Sequence, residues 1–138
     1  MGWDVELVDE NGVVSVPNHN EGSIQSCTVD GKTGTCDADI AITYNYSRLY
    51  HLVLGETLKE YLRDRKAEYT ISGLKKIVEK LGTNRYKRLK EGHDTFDFEN
   101  GYEIDYWCPT PGNAGHIAAL LLDWAQLHPE AKWEITSE

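Results

Sequence analysis

Trp3-Asp4-Val5-Glu6-Leu7-Val8 alternates apolar and acidic residues, and Asp9-Glu10-Asn11-Gly12 follows at once. A period of two sets successive side chains on opposite faces of a strand, so this stretch predicts a half-buried β-strand. Asn-Gly tolerates the positive φ of a tight hairpin turn. Val13-Val14-Ser15-Val16 then supplies a returning strand, which Pro17 stops. The chain is therefore expected to open on a β-hairpin.

Two more strands are expected before the first helix, over residues 23–29 and 38–46, the second with Ile40, Ile42, Tyr44 and Tyr46 on one face. Beyond residue 47 the period changes. Ser47 is an N-cap candidate, and Leu49, Tyr50, Val53 and Leu54 recur at helical spacing up to Gly55. A charged helical segment is expected over 56–66. Ile71, Leu74, Ile77, Val78 and Leu81 then form one stripe ending at Gly82, with Lys75, Lys76 and Lys80 facing solvent. Short strands are expected at 95–99 and 102–107. A long helix follows, with Ile117, Leu120, Leu121, Trp124 and Leu127 on its buried side, and a strand at 132–135 closes the chain. Strands first, helices later and a terminal strand predict an α+β fold: a mostly antiparallel sheet, built from the N-terminal strands and a short C-terminal one, with helices on one face. The 138 residues suit a single domain spanning 1–138.

With 40% apolar residues, four Trp and eight Tyr, the chain can build a core without staples. No apolar run nears the ~20 residues of a membrane span, and the acidic N-terminus predicts no secretory signal. The formal net charge of −9 argues against a direct nucleic-acid binder. That charge is uneven: residues 1–46 carry −7, 47–92 carry +6, and 93–138 carry −8. The basic middle is either held between the acidic ends or forms a patch for an anionic partner. The acidic ends could equally imitate a phosphate backbone toward a basic one.

Cys27 and Cys36 flank the turn at 30–34, but three cysteines give no disulfide framework, and reduced thiols in a cytoplasm are expected. Cross-strand bridging of that pair stays open. His19, His51, His93, His116 and His128 show no metal-ligand spacing, so neither a metal nor a cofactor is expected. Nucleotide fingerprints and a nucleophile elbow are absent.

Two segments rise above this background. Thr110-Pro111-Gly112-Asn113-Ala114-Gly115-His116 opens the long helix with Thr110 as N-cap and Pro111 at N1. Two glycines cost about 1 kcal/mol each in a helix. Either close packing offsets them, or a ligand approaches the bared backbone there, with Tyr106 and Trp107 as a stacking wall. The second segment, Thr43-Tyr44-Asn45-Tyr46-Ser47, turns from strand to helix. Its Asn45 either hydrogen-bonds the turning chain or reads a polar ligand. The candidate ligand-binding residues are Tyr44, Asn45, Tyr46, Trp107, Thr110, Asn113 and His116, and Asn45 and Asn113 are expected to converge. No catalytic residue is assigned.

Thr43-Tyr44-Asn45-Tyr46-Ser47, Tyr106-Trp107-x-Pro109-Thr110-Pro111-Gly112-Asn113-Ala114-Gly115 and Leu121-Leu122-x-Trp124-Ala125-x-x-His128-Pro129-Glu130-Ala131 resemble a family of small uncharacterised bacteriophage and prophage proteins. The resemblance implies a bacterial host cytoplasm and no reaction. Three functions follow as expectations. The first is a non-enzymatic binding protein with a ligand or host-protein site near 43–47 and 110–116, directed against a host defence. The second is an acidic inhibitor, a nucleic-acid mimic, docking on a basic host protein. The third is an enzyme of unrecognised type using His116 or His19 with a nearby acid. No membrane partner is expected, and homo-oligomerisation is compatible with all three.

Overall fold

Gly2–Asp9 forms the central strand, β1, and its alternation is realised as read: Trp3, Val5 and Leu7 are buried while Asp4, Glu6 and Val8 point the other way. The computed structural model describes residues 2–17, 35–83 and 109–137. The strands expected at 23–29, 95–99 and 102–107 lie outside them, as do Trp107, Cys27, Cys108, His19 and His93.

Asp39–Thr43 (β5) runs antiparallel to β1, with Gly2 opposite Thr43 and Glu6 opposite Asp39. Lys132–Ser137 (β6) pairs antiparallel over Trp3 to Val8. Its pairing overlaps that of β5, so the two occupy opposite edges of β1. The returning arm of the hairpin is shorter than expected. Gly12–Val13 (β2) pairs with Val8 and Asp9, but Ser15–Pro17 (β3) leaves β1 and pairs with Thr35–Asp37 (β4). Ala38 causes the split. At Leu7 the β1 edge passes from β5 to the hairpin: its N–H donates to the Ala38 carbonyl at 3.0 Å, and its carbonyl accepts from Val14 at 2.9 Å. Gly12, at φ +113°, makes the tight turn.

The strand expected over 38–46 ends at Thr43, whose hydroxyl accepts from the Asn45 N–H at 3.2 Å. That bond starts a 3-10 turn over Tyr44–Tyr46, which breaks the alternation: Tyr44 faces out and Tyr46 faces in. Ser47–Leu54 (α1) follows, with Tyr46 rather than Ser47 as N-cap and Gly55 in the left-handed conformation at its end. The charged helix is also shorter than expected. Leu58–Leu62 (α2), capped by Thr57, stops because Asp64 takes a φ of 59° and the chain extends along β6. Trp133 N–H there donates to the Arg65 carbonyl at 3.0 Å, and Ala67 N–H to Ala131 at 2.7 Å.

Ile71–Leu81 (α3) buries Leu74 and Ile77, exposes Lys75, Lys76 and Lys80, and ends at Gly82. Pro111–Leu127 (α4) begins as the sequence predicts, with the Thr110 hydroxyl accepting from Asn113 N–H at 3.2 Å. Its buried side differs from expectation: Ala114, Ala118 and Ala125 join Ile117, Leu121 and Trp124, while Leu127 is 53% exposed and Leu120 half-buried. Small residues let α3 lie close along α4. The fold is α+β, an antiparallel sheet whose apolar face shares one core with the helices. A buried polar chain ties the layers: Trp133 Nε1 donates to Thr70 Oγ1 at 2.9 Å, and that hydroxyl donates to the Ala67 carbonyl at 2.8 Å.

Candidate functional site

The sheet has two faces, and β1 decides what each carries. Its inward residues meet the helices. Its outward residues include Asp4 and Glu6, and the registers place Asp39 and Glu134 on either side of Glu6. Three carboxylates thus stand directly opposite one another across three strands, with Asp4 in the adjoining row between Ala41 and Thr136. Like charges opposite each other in a sheet are destabilising. Burial raises the Glu6 carboxyl above the usual carboxylate range, and Asp39, Glu134, Asp4 and Asp37 push it further the same way. Asp39 is raised by burial, then by Asp4 and Asp37. Every charged group that moves either carboxyl is another acid. Lys132 lies at the margin of this face, opposite Val8.

The residues expected to bind a ligand are placed differently. Asn113 is 2% exposed and Tyr46 1%, both turned into the core. Thr110 and His116 are half-buried, while Asn45 and Tyr44 are exposed. Gly115 at the start of α4 is explained by packing: a Cβ there would meet the backbone carbonyl of Gly82 at the end of α3. Tyr50 links the two motifs. Its hydroxyl donates to the Ala114 carbonyl at 2.9 Å, its ring meets Tyr46 edge-on at 6.1 Å, and burial, aided by Tyr46, holds its phenol well above the usual range.

Of the candidates, Tyr44 lines a cleft whose walls do not include Asn45, Tyr46, Thr110, Asn113 or His116. Its volume is about 260 Å³, and its walls come from β1, α1 and α2, among them Trp3, Tyr44, Thr57, Lys59 and Arg63. The Lys59 ammonium sits 5.3 Å from the centre of the Tyr44 ring and donates to its hydroxyl at 3.4 Å. Lys59 and Arg63 belong to the basic middle that the sequence offers as a patch for an anionic partner; their place beside Tyr44 follows from the fold, with Lys59 on α2 and Arg63 at its C-cap. Reading the sequence missed the carboxylate row, signalled by acids at the outward positions of β1.

Among the described residues no group of three or more His, Cys, Asp or Glu stands together as a metal site. No helix among them is long and apolar enough to cross a membrane. Comparison with protein-family models, curated proteins and solved structures returns no match for this chain.

Proposed function

We propose that this is a non-enzymatic binding protein that presents the carboxylate face of its sheet to a basic protein surface. The observation that carries the reading is the cross-strand row Asp39–Glu6–Glu134, with Asp4 beside it. A chain selected for stability alone would place threonine, or alternating signs, at those positions. Keeping three acids in register costs stability, and a cationic partner relieves that cost on docking. A ligand held jointly by Asn45 and Asn113 receives less support, because Asn113 faces the core and Gly82 occupies the space beside Gly115. In the bacteriophage setting that the sequence resemblance implies, the fitting partner is a nucleic-acid-binding protein of the host, and the row imitates the phosphates that its basic groove binds.

The test is retention of bacterial nucleic-acid-binding proteins on the immobilised protein, with the Glu6→Gln/Asp39→Asn variant in parallel. The reading expects retention that duplex DNA competes away, that falls about tenfold in ~0.5 M salt, and that the variant loses. Equal retention by the variant refutes it.

A further inference from the structure

The geometry points to a second site, independent of the sheet face: the cleft beside Tyr44 takes a small organic anion with a flat apolar body. Three features of the cleft argue for it. The first is charge. Lys59 on α2 and Arg63 at its C-cap, four residues on, both line the cleft, against the single acid Glu60. In a chain of net charge −9, this is a local reversal of sign, and two cations on one side of a concave surface favour an anionic head group.

The second feature is donors. The Thr57 hydroxyl already accepts from Glu60 N–H at 3.1 Å, which leaves its own hydrogen to donate. Ser47 adds another hydroxyl to the wall. The third is shape and surface. Tyr44 is 36% exposed, and Trp3 and Tyr50 close the base. Lys59 rests against the Tyr44 ring, so the cation is already drawn to the cleft and its side chain loses little further freedom on meeting an anion. A volume of about 260 Å³ equals about nine water molecules at ~30 Å³ each, the size of a single ring bearing one acid group.

The matching chemistry is an aryl carboxylate or an aryl phosphate monoester, the head at Lys59 and Arg63 and the ring on Tyr44. The test titrates the full chain, followed by ¹⁵N NMR, with benzoate, phenyl phosphate, inorganic phosphate and benzyl alcohol. The expected result is a Kd below about 1 mM for at least one of the two ring-bearing anions, with shifts at Tyr44, Ser47, Lys59 and Arg63. Which of those two binds tighter tells carboxylate from phosphate as the source. Inorganic phosphate and benzyl alcohol should each bind at least about tenfold more weakly than the better of them. Lys59→Gln/Arg63→Gln should weaken that ligand about tenfold, and Tyr44→Leu should narrow its lead over inorganic phosphate. Glu6→Gln, on the other face, should leave it unchanged. Three results overturn the proposal: neither ring-bearing anion binding at about 10 mM, inorganic phosphate binding as tightly as the better one, or undiminished affinity in the Lys59→Gln/Arg63→Gln variant.

Discussion

Replacing Glu6 by glutamine should make the protein more stable, and the size of the gain follows from the sheet register. Glu6 faces two carboxylates directly, Asp39 on one strand and Glu134 on the other. A directly opposed pair is worth about 0.2–1 kcal/mol in a sheet, here with unfavourable sign. Partial exposure and salt reduce each contact, so the two together give a gain of about 0.5–1.5 kcal/mol at pH 7 and low ionic strength. Glutamine keeps the length and packing of the stem and removes only the charge. For a domain of this size the gain corresponds to a Tm increase of about 2–5 °C.

The pH dependence has a definite sign. The Glu6 carboxyl is raised in the folded state from its usual 4.5, and that of Asp39 from 3.8. The folded protein therefore holds these protons more tightly than the unfolded chain does. Their contribution favours folding below the usual values and is lost as the pH rises through the raised ones. The advantage of Glu6→Gln over the native chain should be full at pH 7 and shrink toward zero near pH 4. Urea denaturation at both pH values, in ~0.05 M and ~1 M salt, measures it through the midpoint at constant m. A variant less stable than the native chain at pH 7 and low salt, or a gain that grows on acidification, refutes the reasoning. The same substitution should weaken retention of a basic partner, separating stability from binding in opposite directions.

Gly115→Ala should destabilise by about 2 kcal/mol or more in thermal denaturation, despite the better helix propensity of alanine, because the added Cβ meets the backbone of Gly82 and cannot be accommodated by a rotamer change. Thr70→Val removes the acceptor of the buried Trp133 indole N–H and should cost about 1–3 kcal/mol by urea denaturation. Tyr50→Phe should cost about 1 kcal/mol by taking the donor from the Ala114 carbonyl. In the native chain, ultraviolet titration should show the Tyr50 phenol ionising well above the usual 10.0.

What the sequence revealed and what it concealed divide along the range of the forces involved. The β1 alternation, the Thr110 cap with Pro111 at N1, and the stop at Gly82 rest on neighbours within a few residues, and each stands as read. The misplaced ends depend on distant partners. Strand β2 ends early because Ala38, far along the chain, takes up hydrogen bonding at Leu7. Helix α2 stops short because residues 65–67 gain a partner in β6. Leu127 satisfies the helical period yet is exposed, while Ala114, Ala118 and Ala125 on α4 are buried instead. The functional residues follow the same division. Gly115 stood out as a local oddity, and its explanation is packing against the backbone of Gly82 at the end of α3, while the equally conspicuous Asn113 is buried. The acids of the sheet face looked ordinary one by one, and only register makes them a row.

The net charge of −9 therefore conceals two surfaces of opposite character. Outward positions on three strands gather carboxylates, while Trp3, an inward residue of the same β1, borders a cleft with two cations. The sheet lies between them, and at physiological salt a Debye length of ~8 Å limits how far one field reaches toward the other. A cationic protein surface is drawn to the strand face, and a small anion to the cleft. Raising the salt should weaken the partner on the sheet more than the ligand in the cleft, because a protein surface meets the whole carboxylate row while a small anion brings only one or two charges and an apolar ring.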